Sequence, residues 1–180
     1  MNKIKLIILD VDGVLTDGKK YYDKNGDVVN KTFCDKDWTT IKLFKVLGIK
    51  TILITGDPFN RFIEKKRNIK TIVNRTDSGH IDKSEYLEDI LKENDVKSEE
   101  VCFVGDDIFD IGLMRKVGYS FCPNDSPSLV KEEATALEKN GGENLLVSLY
   151  EEIIKLNLID KKSYEDVIND LYIEDLNDKF

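Results

Sequence analysis

Two groups of carboxylates stand where short apolar runs stop. Ile7-Ile8-Leu9 leads into Asp10-Val11-Asp12-Gly13, and Val101-Cys102-Phe103-Val104 leads into Gly105-Asp106-Asp107-Ile108-Phe109-Asp110. A lone Asp in such a place commonly caps the next helix or shapes a turn, and Asp107 suits that part. Two clusters at the ends of buried strands are another matter. Carboxylates crowded together raise one another's pKa and cost stability until a proton or a cation relieves them. Oxygen ligands of this hardness and number select Mg2+.

A third apolar run, residues 50–54, ends in Thr55-Gly56-Asp57-Pro58. It offers a hydroxyl, an open backbone and a Pro at the first helical position, so a helix N-terminus there would attract an anion. Lys83 opens a helical segment, 84–93, where its charge opposes the helix dipole. An ammonium facing a phosphate beside the carboxylates would account for that placement. His80, the only histidine, lies in the polar loop 74–82 and reads as a solvated loop residue.

These side chains can act together only if the strands that carry them are neighbours. Apolar runs at 5–9, 50–54, 70–73, 101–104 and 119–122 lack polar alternation, so both faces of each should be covered. Between them, Ile41, Phe44 and Leu47 recur at helical spacing, as do Tyr86, Leu87, Ile90 and Leu91, and a longer stripe runs from Leu145 to Ile154. The alternation predicts an α/β fold, a Rossmann-like parallel sheet between helix layers, with ligands gathered beyond the carboxyl ends of the strands. One insert departs from the rhythm: residues 19–33, centred on Lys24-Asn25-Gly26-Asp27, read as a β-hairpin flap after the first strand. Residues 1–158 form a single predicted domain, and 159–180 a polar appendage with a weak helical stripe at Tyr164, Val167, Ile168 and Leu171.

With 41% hydrophobic and 34% charged residues, the 180-residue chain is composed like one compact soluble domain. The 27 Lys and Arg against 35 Asp and Glu leave a net charge of −8 with no basic cluster, which argues against nucleic acid and anionic membranes as partners. Only six largely apolar residues, 4–9, follow the N-terminus before an Asp, far short of a signal sequence or a membrane span. Cys34, Cys102 and Cys122 have no metal-ligand spacing and suit a reducing, cytoplasmic setting.

The order Asp10-x-Asp12-Gly13-Val14-Leu15-Thr16-Asp17-Gly18, then Ile54-Thr55-Gly56, then Gly79-x-x-Asp82-Lys83, then Gly105-Asp106-Asp107-x-x-Asp110 resembles the haloacid dehalogenase superfamily of phosphotransferases. Thr16-Asp17-Gly18, the hairpin after it and Gly141-Gly142 resemble the capless 3-deoxy-D-manno-octulosonate 8-phosphate phosphatase group, which includes related 9-phosphatases of nine-carbon sugar acids. The resemblance implies that Asp10 is a nucleophile forming an aspartyl phosphate and that Asp12 is the general acid, then base. It further implies Mg2+ held by Asp10, the Asp12 carbonyl and Asp106 with Asp110 in support, and Thr55 and Lys83 on the transferring phosphoryl group. Thr16, Gly56 and Asp57 are expected beside the substrate with them. The gap from Thr55 to Lys83 is only 28 positions, and that from Asp12 to Thr55 holds one hairpin and one helix, so neither has room for a cap domain.

The same likeness implies a Mg2+-dependent phosphomonoester hydrolase acting on a small phosphorylated sugar, sugar acid or related metabolite in surface-carbohydrate biosynthesis. It also implies a homotetramer in which the hairpins pair and a neighbour covers each site. Three departures bear on substrate. Asp57 and Glu143 stand where the group often has Arg, and Asp37-Trp38-Thr39-Thr40 replaces its Asp-Gly-x-Gly. They point to an indole near the site entrance and to a pocket favouring hydroxyl or amino groups over a bare carboxylate. A rival class, the phosphoaccepting receiver domain of signalling, shares the acidic pair, Asp, Thr and Lys around Mg2+ but in a different order, with its phosphoacceptor closing the third strand. Here that strand ends Val73-Asn74-Arg75.

Overall fold

The computed structural model of the chain describes residues 2–177. In chain order its elements are β1 (Leu6–Leu9), β2 (Tyr21–Tyr22), β3 (Val28–Asn30), α1 (Asp35–Val46), β4 (Lys50–Thr55), α2 (Phe62–Arg67), β5 (Thr71–Val73), β6 (Arg75–Thr76) and β7 (Gly79–His80). After these come α3 (Leu87–Asn94), β8 (Val101–Val104), α4 (Ile111–Met114), β9 (Tyr119–Cys122), α5 (Ser128–Lys131), β10 (Thr135–Ala136), α6 (Leu145–Lys155) and α7 (Tyr164–Asn177). Six strands form one sheet in the order β10-β9-β8-β1-β4-β5, and every pairing in it is parallel.

All four residues of β1 are buried, and their alternation explains why no polar residue can interrupt the run. Ile7 and Leu9 join Leu53, Cys102 and Val104 against Ile41 and Phe44 of α1 and the apolar stripe of α6. Leu6 and Ile8 join Ile52, Ile54 and Phe103 against Leu87 and Ile90 of α3 and Leu113 of α4. The sheet is thus sandwiched between helix layers, and fully buried side chains such as Phe44 would each cost about 3–5 kcal/mol if truncated to Ala. Because β1 lies between β4 and β8, Asp10, Thr55 and Asp106 issue from three adjacent strand ends.

The expected hairpin is present as β2 and β3, closed by a loop in which Asp23 Oδ1 accepts from the N–H groups of Asn25 (2.8 Å) and Asp27 (3.0 Å). Tyr21, Tyr22 and Val29 on it are exposed, whereas Phe33 turns inward against the core, its ring centroid 5.4 Å from that of Trp38. Elements with no sequence forecast include the edge strand β10, the small β6–β7 hairpin and the short helix α5.

The C-terminal segment carries a helix over its weak apolar stripe. Helix α7 lies along α1, where Asp175 pairs with Lys42 at 2.7 Å, Glu174 pairs with Lys45, and Lys162 donates to the carbonyl of Val46 at 2.9 Å. Val167, Ile168 and Leu171 of its weak stripe are half-buried, and the ion pairs with the lysines of α1 add to the contact. No helix among the described residues is long and apolar enough to cross a membrane.

Candidate active site

Asp10 leaves β1 with its N–H donating to Val104 O at 2.9 Å, which holds it level with the first residues beyond β8. Its Oδ1 accepts from Val11 N–H (2.7 Å) and lies 3.1 Å from the Lys83 ammonium, and Oδ2 has no such contact. Lys83 also donates to Asp110 Oδ1 at 2.6 Å, while Asp110 Oδ2 accepts from the N–H groups of Asp106 (2.9 Å) and Asp107 (3.1 Å). Asp110 therefore braces the loop and the lysine behind the two foremost carboxylates. Carboxylate oxygens of Asp10, Asp106 and Asp110 lie within 4.8 Å of one another. Their approach depends on Gly13, whose φ of +85° suits a glycine and whose missing Cβ would stand 2.0 Å from Asp106 Oδ2.

The electrostatics ask for a cation. Burial pushes Asp10 well above the usual carboxylate range, with Lys83 offsetting part of the rise and Asp110 adding to it. Asp106 is raised by burial and then by the charges of Asp10 and Asp110. Burial opposes the charge on Lys83, yet Asp10 and Asp110 hold its pKa above the ordinary lysine value. Three carboxylates against one ammonium leave two formal negative charges, and Asp106 Oδ1 is buried without a hydrogen-bond partner. A divalent cation matches that charge, that orphaned oxygen and that all-oxygen donor set.

On the other side of Asp10, Thr55 ends β4 fully buried. Its Oγ1 accepts from Asn60 Nδ2 (2.8 Å) and Asp57 N–H (3.2 Å), leaving its own proton to donate toward an anion. Asp12 is held from two directions: Oδ1 accepts from Lys31 Nζ at 2.6 Å and Oδ2 from Asn60 Nδ2 at 3.1 Å. Asp57 Oδ2 accepts from both Lys20 (2.7 Å) and Lys31 (2.8 Å), and its Oδ1 from Phe59 N–H (3.0 Å). Burial pulls the Asp57 pKa up, but the bonds from Lys20, Lys31 and Phe59 outweigh it and hold the group below the usual carboxylate range.

Several expectations change accordingly. Asp57 is held by two lysines and a backbone amide. The helix N-terminus expected to attract an anion is a 3-10 turn, Pro58–Arg61, capped by this same carboxylate. Thr16 is fully buried and braces its loop, its hydroxyl accepting from the N–H groups of Gly13 (3.3 Å) and Gly18 (3.2 Å). Trp38 is buried in the core beneath Arg67, not set at the site entrance. Asp37, next to it, is also buried and accepts from Leu146 N–H at 2.9 Å at the start of α6. His80 is exposed, but its ring stacks on Phe109 at 5.3 Å and lies so close to Gly56 that a Cβ there would stand 2.3 Å from Cε1. Lys20, Lys31 and Asn60 were not foreseen. The two lysines flank β2 and β3, so strand pairing was the signal that could have joined them.

A family profile described as haloacid dehalogenase-like hydrolase matches residues 64–144. The 3-deoxy-D-manno-octulosonate 8-phosphate phosphatase of Haemophilus influenzae is 30% identical over 158 residues, 86% of this chain and 85% of that protein. The chain belongs to this family of haloacid dehalogenase-like phosphatases. The cobalt-bound structure of the Haemophilus influenzae enzyme superposes with a TM-score of 0.76 at 30% identity, covering 85% of this chain and 88% of that one. The Moraxella catarrhalis phosphatase, solved with magnesium, phosphate and the sugar acid, gives a TM-score of 0.74 at 26% identity over 86% and 89% of the two chains. The present phosphatase shares their fold, in a family that uses a divalent metal, and its Asp10, Asp106 and Asp110 form an acidic cluster that could hold one.

Proposed function

We propose that this phosphatase hydrolyses the phosphomonoester of a sugar acid of the 3-deoxy-octulosonate class through an aspartyl phosphate on Asp10. The observation that carries the chemistry is the buried convergence of Asp10, Asp106 and Asp110 on Lys83 beside Asp12 and Thr55. Asp10 Oδ2 attacks phosphorus while the ester P–O bond breaks, and Asp12 gives its proton to the departing sugar oxygen. Asp12 then takes a proton from the water that attacks the aspartyl phosphate, releasing inorganic phosphate and restoring Asp10. Lys83 and the Thr55 hydroxyl stabilise the equatorial oxygens during both transfers. Mg2+ held by Asp10, Asp106 and the Asp12 carbonyl, with Asp110 behind them, supplies the remaining positive charge when bound.

The relatives' substrate supports the sugar-acid assignment, and so do the hairpin lysines. Asp57, whose charge alone disfavours a carboxylate, is offset by Lys20 and Lys31, so two of the three departures, Asp57 and Trp38, no longer oppose an acidic substrate. Exposed Tyr21, Tyr22 and Val29 support pairing of hairpins in a homotetramer that would shelter the open site, and three free cysteines suit a reducing cytoplasm. Phosphate release should be compared across sugar, amino-sugar, polyol and sugar-acid phosphates with Mg2+ present, alongside light scattering. The expected results are a preference for the octulosonate 8-phosphate, no turnover by Asp10→Asn, and a tetramer. Preference for neutral phosphates would overturn the substrate, turnover by Asp10→Asn the nucleophile, and an active monomer the assembly.

A further inference from the structure

Lys31 is a lysine in an improbable place. Its side chain is 0% exposed, although lysine is among the residues least often buried and an ammonium out of water is costly unless fully paired. It is fully paired: its three donors go to Asp12 Oδ1 at 2.6 Å, Asp57 Oδ2 at 2.8 Å and Asn60 Oδ1 at 3.0 Å, with the Phe59 ring 5.3 Å away. No donor remains for a substrate, so Lys31 can influence the reaction only through the groups it holds. Asn60 completes the frame by donating from Nδ2 both to Asp12 Oδ2 and to Thr55 Oγ1. Asp12 is thereby fixed through both oxygens, one by the hairpin base and the other by the turn after β4.

We infer that Lys31 is the positioning residue for Asp12, setting the direction in which that carboxyl meets the leaving-group oxygen. The inference rests on the general-acid reading of Asp12 and adds to it the group that aims the acid. It also gives the hairpin a catalytic consequence, because the ammonium that orients Asp12 stands at the foot of β3. A merely structural Lys31 would affect all substrates alike. In the first transfer, which kcat/KM reports, a positioning Lys31 matters only where the leaving oxygen needs a proton, as an alkoxide does and a nitrophenolate does not; the later attack of water on the aspartyl phosphate is common to both substrates.

The test is Lys31→Met, assayed with Mg2+ on an alkyl phosphate and on p-nitrophenyl phosphate, with Asp12→Asn in parallel. The alkyl substrate should lose at least ~30-fold in kcat/KM and the aryl substrate less than about threefold. Added to Asp12→Asn, Lys31→Met should bring no further loss on the alkyl substrate, the non-additivity of groups acting as a unit. Should the single variant not fold, Lys31→Met/Asp57→Asn removes the opposed charge with it and should give the same split. Equal losses in kcat/KM on both substrates, or no loss on either, would overturn the inference. If Asp12→Asn itself shows no split, the general-acid reading fails and takes this inference with it. If Asp12→Asn splits and Lys31→Met does not, only Lys31 loses its role.

Discussion

Replacing Gly13 with Ala tests the carboxylate cluster through backbone geometry alone. The new Cβ would stand 2.0 Å from Asp106 Oδ2 and 2.3 Å from its Cγ, whereas real Cβ contacts are not found under 3.0 Å. The Asp106 carboxylate must therefore retreat by at least about 1 Å, a misplacement that costs on the order of 100-fold in rate when it concerns catalytic groups. Metal affinity should drop by roughly 10- to 100-fold, as when a ligand loses its support. The φ of +85° adds about 1–2 kcal/mol of strain for a side chain with a Cβ. Gly18→Ala is the control: its φ of +74° imposes similar strain, but its nearest atoms are 3.8 Å away and no carboxylate is displaced. Calorimetric Mg2+ titration and kcat at saturating metal should separate the two variants, both carrying a similar loss of thermal stability. Parent-like Mg2+ affinity and turnover in Gly13→Ala would refute the claim that this glycine admits Asp106 to the metal site.

Two further outcomes concern protons. Asp10 and Asp106 have folded-state pKa values raised above the unfolded ones, so in chelator their contribution to stability is complete at low pH and is lost as pH rises through the folded values. Melting temperatures from pH 5 to 8.5 should fall in chelator and recover most with Mg2+ at the alkaline end; equal Mg2+ stabilisation at all pH values would contradict this. Asp37, raised by burial from 3.8 to about 6 against the bonds from Leu146 and Leu145, should contribute in the same sense between those values. That gap is worth about 3 kcal/mol, or ~6–12 °C in a chain of this size. Asp37→Asn keeps an acceptor for Leu146, so its melting temperature relative to the parent should rise by that order from pH 4 to pH 7. A difference that stays flat with pH would show that Asp37 is not the titrating group.

Asp10, Asp106, Asp110 and Lys83 were legible because each depends on local information. A buried parallel strand cannot tolerate polar residues within it, so the carboxylates accumulate at its end, and Lys83 marked itself at the start of a helical segment, although that segment opens as a 3-10 turn, Lys83–Tyr86, before α3. Sequence could also foresee that these ends meet, since ligands gather at one edge of such a sheet. It could not foresee which side chains would be consumed inside the protein. Lys31 reaches Asp12 and Asp57 across 19 and 26 positions, and only closure of the β2–β3 hairpin brings it there. The sequence alone therefore located the acidic cluster and the lysine that the fold brings together, because strand polarity and burial are written in neighbouring residues. Only the tertiary structure decided the lysine partners of Asp57, the burial of Trp38 and the partners of the acidic helix α7, because ion pairing and burial depend on how distant loops are laid against one another.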